Sequence, residues 1–245
     1  MRYRSSITAH SGCEGTLRDS RESLEIALQL KADAVEVDVR QAPDGTLVIS
    51  HDRQSTYHNV LTLEEVIAQV AANGTILLNC DLKEAQAAQD VLHMAGRLGL
   101  SAEKLILSGS LSPSALRADP VISRHCSIYL NIEELLGELV GVTPQENGLS
   151  LWVQLQDKIQ DISSYLQPVS GICRELKVGA LNLPYFALTE PCFKLVDEIP
   201  LSVWTVNEES MMQHMFRLGV KNLTTLNVRL AMKQRESLRG EPVVQ

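Results

Sequence analysis

The chain has 245 residues, of which 44% are hydrophobic, so it can bury a large core as one domain. Its formal net charge of −8 argues against a nucleic-acid-binding protein, which would present a basic face. The five cysteines are scattered and include no Cys-x-x-Cys pair, which predicts reduced, mostly buried thiols of an intracellular protein. No apolar run approaches the ~20 residues that span a bilayer, and the first residues lack the apolar segment of a signal peptide. We therefore expect a cytoplasmic protein without a membrane-inserted segment.

The first elements alternate between strand and helix. Residues 6–10 form a short apolar strand that ends in His10. Asp19 has the spacing of an N-cap for a helix that follows and reaches about residue 31. A valine-rich strand comes directly afterwards, at residues 34–40. Strand, helix and strand in this order predict a βαβ unit with parallel pairing.

The strand at residues 34–40 has two different faces. Three valines lie on one face, whereas Glu36, Asp38 and Arg40 lie on the other. A half-exposed strand with a salt-bridged polar face would show the same alternation. Two carboxylates that are two residues apart also suit a divalent cation. The strand by itself leaves both interpretations open.

The segment after this strand favours the cation. Asp44-Gly45 is a strong turn signal, and beyond it an apolar run ends in His51. A chain that folds back at this turn could bring His51 near Glu36 and Asp38. A histidine beside a metal-binding pair of carboxylates suits proton transfer at a metal site.

The alternation continues to the end of the chain and predicts eight strands in all. The later strands are expected at residues 75–83, 104–108, 127–130, 180–184, 201–207 and 221–225. The later helices are expected at residues 62–71, 85–98, 113–118, 132–140, 188–198, 208–218 and 228–238. The middle is less regular: we predict a loop at residues 141–148, a strand or a helix at residues 149–155, and a helix at residues 157–177 that is interrupted near Pro168.

Eight strands separated by helices, with no linker between them, predict a single (β/α)₈ TIM barrel domain over residues 1–245. A doubly wound open sheet is the structural alternative, but it would not gather polar residues from the first, second, third and seventh strands. The active site of a barrel lies at the carboxyl ends of its strands. The polar residues at or near these ends are His10, Asp38, Asp81, Lys83 and Asn207.

Several short motifs give the chain a family resemblance. They are Ala9-His10-Ser11-Gly12, Val35-Glu36-Val37-Asp38, the run from Asp44-Gly45 to His51-Asp52, Asp81-Leu82-Lys83 and Val203-Trp204-Thr205-Val206-Asn207. In this order and spacing the chain resembles the glycerophosphodiester phosphodiesterases, within the phospholipase-C-like phosphodiesterase barrels. The resemblance implies an enzyme that cleaves a small-molecule phosphodiester to glycerol phosphate and an alcohol.

The resemblance also implies a role for each matching residue. It makes His10 and His51 an acid–base pair. It makes Glu36, Asp38 and Asp81 the ligands of one divalent cation, and their oxygen donors favour Mg²⁺ or Ca²⁺. It makes Lys83 a phosphate contact and Trp204 a wall of the substrate pocket. Both have simpler alternatives, since Lys83 could merely pair with Asp81 and a tryptophan is more often a core residue.

The chain departs from the family pattern at four places. Ser11 stands where the family carries an arginine that meets the phosphate, and Asp81 stands where it carries a glutamate. Arg40 could replace the arginine, although an ion pair with a carboxylate is an equal alternative. The triplet Arg18-Asp19-Ser20 replaces Glu-Asn-Thr, and residues 53–61 are fewer than the usual capping insertion, which predicts an open site.

These departures leave three alternatives for an enzyme of this lineage. They fit a divergent active branch, a different phosphodiester or lost activity. A non-catalytic barrel that retains phosphate or metal affinity is the alternative function. A barrel aldolase or isomerase would be expected to place a lysine alone in its core instead of an acidic triad.

Overall fold

Eight parallel strands close into a barrel in the computed structural model, which describes residues 5–142, 151–156, 158–159 and 162–238. In chain order the strands are β1 (Ser6–Ala9), β2 (Ala34–Gln41), β3 (Leu47–Ile49), β4 (Leu77–Leu82), β5 (Leu105–Gly109), β6 (Ser127–Asn131), β7 (Ala180–Pro184), β8 (Leu201–Trp204) and β9 (Asn222–Thr225). β1 pairs in parallel with both β2 and β9, which closes the barrel, and β3 is an antiparallel addition to β2. The predicted (β/α)₈ TIM barrel is confirmed.

Helices surround the barrel and connect most of its strands. They are α1 (Arg21–Leu30), α2 (Leu63–Asn73), α3 (Ala88–Arg97), α4 (Pro113–Ala118), α5 (Ile122–His125), α6 (Ile132–Val140), α7 (Leu151–Gln156), α8 (Leu166–Glu175), α9 (Leu195–Glu198), α10 (Glu209–Leu218) and α11 (Val228–Ser237). Among the described residues, no helix is both long and apolar enough to cross a bilayer.

The middle of the chain contains two helices, α7 and α8, and α8 is shorter than the helix predicted at residues 157–177. Residues 151–156 are helix, which decides between the two alternatives for that segment. The predicted interruption near Pro168 is wrong, because α8 runs through this residue. Pro168 is the third residue of α8, where a backbone N–H would have no helical partner, so its lack of that group costs no hydrogen bond. Most of the loop predicted at residues 141–148 lies outside the described residues.

The cap of α1 also differs from the prediction. Ser20 is the N-cap, and its hydroxyl accepts a hydrogen bond from the Ser23 amide at 3.1 Å. Asp19 has a left-handed backbone, with a φ of 60°, and stands outside the helix. Its carboxylate is therefore available for contacts elsewhere, which are described with the site. By contrast, the capping box predicted for α2, between Thr62 and Glu65, is present.

The predicted fold-back after β2 is confirmed. Gly45 has a φ of +87°, and the Asp44 carboxylate accepts a hydrogen bond from the Thr46 amide at 2.9 Å. The turn sets Val39 of β2 opposite Ile49 of β3. Directly beyond β3, the Ser50 amide donates to the backbone carbonyl of Asp38 at 2.9 Å. The residue after Ser50 is His51, which the turn therefore delivers to the carboxyl end of β2.

The two faces of β2 are both buried. The three valines belong to the main hydrophobic core. Glu36 is only 6% exposed and Asp38 only 2%, so the half-exposed strand is the wrong interpretation. The five cysteines are all buried and free, as predicted.

Candidate active site

Three carboxylates meet at the carboxyl end of the barrel. Glu36 and Asp38 are two residues apart on β2, so their side chains point to the same face. The parallel register of β2 and β4 sets Asp81 directly beside Asp38. One oxygen from each of the three side chains lies within 4.8 Å of the other two. The strand pairing thus assembles the cluster that the sequence predicted.

Lys83 is joined to two of these carboxylates. Its Nζ lies 2.5 Å from Asp38 Oδ1 and 2.5 Å from Asp81 Oδ2. Burial alone would lower the pKa of Lys83, but the neighbouring charges of Asp81 and Asp38 outweigh it and raise the pKa. Lys83 therefore stays charged. The ion pair with Asp81 considered from the sequence is present, and it extends to Asp38.

The cluster fits a divalent cation. With all three carboxylates ionised, Lys83 would compensate only one of the three negative charges. Asp38 Oδ2 is buried and accepts no hydrogen bond within the described part of the chain. Burial, followed by the charges of Asp38 and Asp81, raises the pKa of Glu36 well above its ordinary value. A bound cation would compensate the negative charge, coordinate the unpartnered oxygen of Asp38 and lower the pKa of Glu36. The donor atoms are all oxygens, which suits Mg²⁺ or Ca²⁺.

His10 lies at the end of β1, next to Glu36. Its Nδ1 is 3.1 Å from the Ser11 carbonyl, which can only accept, so Nδ1 carries the proton and Nε2 keeps a lone pair. Nε2 is 4.0 Å from Glu36 Oε2. Burial lowers the pKa of His10, which favours a neutral imidazole near pH 7. The ring can therefore accept a proton at Nε2.

His51 is held at its backbone and at one ring nitrogen. Its amide donates to Asp19 Oδ2 at 2.8 Å, and its Nδ1 lies 2.8 Å from the Asp52 carboxylate. A carboxylate accepts the Nδ1 proton, so Nε2 again remains for chemistry. The side chain of His51 is 44% exposed and that of His10 is 22% exposed. Both rings reach solvent, in agreement with the open site expected from the short segment at residues 53–61.

Ser11 and Asp19 connect the two histidine segments. The Ser11 hydroxyl donates to Asp19 Oδ1 at 3.0 Å and accepts from the Asp19 amide at 2.7 Å. The Ser11 amide donates to Glu36 at 3.2 Å. Because the other carboxylate oxygen of Asp19 binds the His51 amide, one side chain joins both segments. The sequence gives no local signal of this role, because the spacing of Asp19 is that of a helix N-cap.

Arg40 is occupied by protein groups. Its Nε and one terminal nitrogen donate to the His51 carbonyl at 3.1 and 2.9 Å. The other terminal nitrogen pairs with Glu84. The ion-pair alternative is therefore the one present, and this geometry does not support the phosphate contact predicted for Arg40. Instead, the guanidinium holds the backbone of His51.

Two residues near the end of β8, Trp204 and Asn207, differ in their hydrogen bonds. Trp204 ends β8, and its indole Nε1 is buried without a hydrogen-bond partner among the described residues. Asn207 lies beyond the strand, where its amide oxygen accepts from the Leu226 amide at 2.9 Å and from the Thr225 hydroxyl at 3.1 Å. Asn207 thus fastens the loop after β8 to β9. The pocket role of Trp204 stays a prediction.

A partly buried acid, with one buried oxygen, follows β6. Glu133 accepts a hydrogen bond from Asn131 at 3.2 Å through Oε1, whereas Oε2 has no partner in the described ranges. Burial, and then the charges of Glu134 and Asp81, raise the pKa of Glu133 to about 7. The sequence showed only two acids in the first turn of a predicted helix, and nothing local distinguished them from exposed ones.

Comparison with known proteins supports the resemblance. The model of the Glycerophosphoryl diester phosphodiesterase family matches residues 10–66 of the chain. This match confirms the resemblance to that enzyme family over a segment that contains His10, Glu36, Asp38 and His51. No curated protein matches the sequence of the chain.

Solved structures share the fold. A glycerophosphodiester phosphodiesterase from Parabacteroides distasonis has a TM-score of 0.68 at 21% identity, and the alignment covers 98% of this chain and 100% of that one. The Thermotoga maritima glycerophosphodiester phosphodiesterase has a TM-score of 0.66 at 21% identity, covering 95% and 99%. An Oleispira antarctica phosphodiesterase, solved with its product sn-glycerol-3-phosphate, has a TM-score of 0.62 at 15% identity, covering 94% and 96%. At these identities the likeness establishes the barrel fold.

Proposed function

We propose that this chain is a metal-dependent phosphodiester hydrolase that cleaves glycerophosphodiesters to glycerol phosphate and an alcohol. One observation carries the proposal: the available Nε2 of His10 lies 4.0 Å from Glu36 of the carboxylate cluster, and the backbone beside His51 is hydrogen-bonded to Asp38 of the same cluster. The family match over residues 10–66 supports the same reaction. The product found in the Oleispira antarctica phosphodiesterase indicates the class of small molecule.

Glu36, Asp38 and Asp81 would hold the cation, Mg²⁺ or Ca²⁺. When bound, a divalent cation polarises a phosphoryl oxygen and lowers the pKa of a coordinated hydroxyl or water. The protein contributes the fixed positions of its ligands, because Asp38 and Asp81 are adjacent in strand register. Lys83 holds both carboxylates in place from the side of β4.

The two histidines would divide the proton transfers. We assign the general base to His10, because burial lowers its pKa and keeps its Nε2 available near neutral pH. We assign the general acid to His51, because its exposed ring is hydrogen-bonded to the Asp52 carboxylate and can return a proton to a leaving alkoxide. Arg40 and Asp19 orient His51 through its carbonyl and amide.

Lys83 and Trp204 would contact the substrate. A lysine ammonium has three donors, and two of them are used by Asp38 and Asp81, so one remains for a phosphate oxygen. The indole of Trp204, at the end of β8, would form a wall of the pocket. Both assignments are consistent with the strand ends on which these residues lie.

The test is a turnover assay on glycerophosphodiesters, cyclic phosphates and lysophospholipids, with and without added Mg²⁺ or Ca²⁺. We expect metal-dependent release of glycerol phosphate from at least one glycerophosphodiester. His10→Ala and His51→Ala should each lower the rate by ~10²–10⁴-fold. With an activated aryl leaving group, His51→Ala should recover most of its rate while His10→Ala should not.

Two results would contradict the assignment. Wild-type rates for His51→Ala on a substrate with a poor leaving group would exclude this residue as the acid. Intact metal binding without turnover on any of these substrates would favour the non-catalytic binding barrel instead. The observation that favours this second function is Ser11, which stands where the family carries the arginine that contacts the phosphate.

A further inference from the structure

The cations closest to the carboxylate cluster are already engaged. Lys83 contacts Asp38 and Asp81, and Arg40 contacts Glu84 and the His51 carbonyl. Ser11, which is buried, brings no charge to the end of β1. A phosphodiester carries a negative charge, and proteins commonly meet phosphate oxygens with the forked donors of arginine. Beyond the one donor that remains on Lys83, a phosphate bound at this site would therefore gain from a further cation.

The backbone of Arg18 lies next to Gly12, in the loop after β1, although it is six positions further along the chain. The loop after β1 curls back, so that a Cβ placed on Gly12 would be 3.4 Å from both the Cα and the amide nitrogen of Arg18. The next residue, Asp19, is hydrogen-bonded to Ser11 and to the His51 amide. The backbone of Arg18 is thus fixed between the two histidine segments.

The side chain of Arg18 is uncommitted. It is exposed, and within the part of the chain that the structure describes it makes no hydrogen bond or ion pair. Its charge still acts on the site: burial is the main cause of the raised pKa of Asp19, and Arg18 acts against that rise. The pKa of Asp52 is lowered first by its hydrogen bond with His51, and Arg18 contributes there too. The positive charge of Arg18 therefore lies close to Asp52 and to Asp19, the residue that joins the two histidine segments.

Arg18 also borders a cleft on the His51 side of the site. The cleft has a volume of about 390 Å³. Its polar lining includes Arg18, Asp19, Ser50, Gln54 and Asn59. Ser50 directly precedes His51, so a ligand in this cleft would lie beside the proposed acid. A guanidinium at the rim can reach the phosphate of such a ligand without breaking an existing ion pair.

We propose that Arg18 binds a phosphate oxygen of the substrate and supplies the cation that Ser11 cannot. The proposal rests on the proposed function and names a binding residue for it. The compact loop of residues 11–19 brings the backbone of Arg18 against Gly12, close to the end of β1. The Ser11–Asp19 hydrogen bonds hold that loop closed. Ser11 thus helps to position Arg18, which supplies the positive charge that a serine lacks.

The experiment compares Arg18→Ala and Arg18→Lys with a matched control, Arg97→Ala. Arg97 is also exposed, but it does not line this cleft, and its guanidinium pairs with Glu64 at 3.3 Å. Binding of sn-glycerol 3-phosphate and of inorganic phosphate to the metal-loaded protein is measured by titration calorimetry, and KM and kcat are measured on a glycerophosphodiester. Arg18→Ala should weaken both ligands and raise KM by roughly tenfold or more. Arg18→Lys should lose less, and Arg97→Ala should stay near wild type.

The outcomes separate this inference from the proposed function. If wild-type protein turns over a glycerophosphodiester and Arg18→Ala binds both anions and substrate as tightly, the inference fails and the function stands. If wild-type protein turns over no diester but binds phosphate in an Arg18-dependent way, the function fails and the anion site stands. If wild-type protein binds neither anion, the inference is overturned whatever the turnover. An equal loss in Arg97→Ala would also overturn it, because a general charge effect would then explain the result.

Discussion

At the scale of single residues, this protein concentrates buried charge at one end of its barrel. Glu36, Asp38 and Asp81 are compensated in part by Lys83, and the remaining charge suits a cation. Glu133 lies outside that compensation, with one buried oxygen that has no partner in the described residues. An ionised carboxylate in such a place is costly unless it is paired. The acid therefore makes stability depend on pH.

We expect Glu133→Gln to stabilise the protein at alkaline pH. The pKa of Glu133 rises from 4.5 to about 7 on folding, chiefly because of burial. A carboxyl with a raised pKa contributes stability that is complete below the unfolded value, here 4.5, and is lost as pH rises through the folded value, about 7. Removing the ionisation should raise the free energy of unfolding at about pH 8 by about 1–3 kcal/mol.

Urea unfolding of chelator-treated protein provides the measurement. Near pH 4.5 the wild type is already protonated at Glu133, so the variant should differ little there. Glu25→Gln, at an exposed position of α1, is the control and should change stability little at either pH. Equal stability of Glu133→Gln and wild type at alkaline pH would show that the carboxylate is not held in a charge-excluding site.

At the scale of elements, the end of β5 constrains the end of β4. Gly109 has a φ of +86°, and a Cβ at this position would lie 2.2 Å from the Leu82 carbonyl oxygen and 2.6 Å from its amide nitrogen. Leu82 stands between Asp81 and Lys83 in the chain. Any side chain at position 109 must therefore displace the strand end that carries a proposed metal ligand and its lysine.

We expect Gly109→Ala to damage both stability and the site. Gly99→Ala is the matched control, because Gly99 has a φ of +75° but no atom within 4 Å of its virtual Cβ. The control should lose only the conformational cost of about 1–2 kcal/mol. Gly109→Ala should lose about 1–3 kcal/mol more from the backbone clash, and its affinity for Mg²⁺ or Ca²⁺ should fall. Urea unfolding and metal titration measure both, and equal behaviour of the two variants would contradict the coupling of β5 to β4.

At the scale of the whole molecule, a cation would connect two strands of the closed barrel. Its proposed ligands lie on β2 and β4, and they come together only when these strands are in register. A ligand that binds only the folded state stabilises it, by about 2.7 kcal/mol at a concentration of one hundred times Kd. For a chain of this size each 1 kcal/mol raises Tm by about 2–4 °C.

We therefore expect chelation to lower Tm by several degrees and to abolish turnover, with Mg²⁺ or Ca²⁺ restoring both. Asp81→Asn should need more metal for the same Tm shift, because the variant loses one charged ligand. Glu64→Gln, an exposed carboxylate that pairs with Arg97, should respond to metal as the wild type does. Full activity and an unchanged Tm in chelator would refute the cation site.

Much of the architecture could be predicted from sequence because it depends on local patterns. Alternation placed Glu36 and Asp38 on one face of β2, and Asp44-Gly45 placed the turn before His51. The α2 capping box was recognisable because its two partners are three residues apart. Strands depend on patterns among residues that are near in sequence, so the eight barrel strands and their order could be predicted.

Local patterns did not identify the N-cap of α1, because two neighbouring residues have a similar propensity to cap a helix. Asp19 and Ser20 are both good N-caps, and the sequence does not distinguish them. The structure assigns the cap to Ser20 because Asp19 binds Ser11 and the His51 amide. The choice was made by contacts with the β1 loop and with residues more than thirty positions away, which a window around the helix does not contain.

Local sequence patterns are enough to predict which residue types stand at the strand ends, whereas the packing of distant segments governs which of them meet. Asp81 reaches Asp38 through the register of β2 and β4, and Arg40 reaches Glu84 across 44 positions. The raised pKa of Glu133 depends on burial that exists only after the barrel closes. Periodicity reports the face on which a side chain lies, whereas partners and charge states depend on how distant segments pack, and that packing is a property of the whole chain.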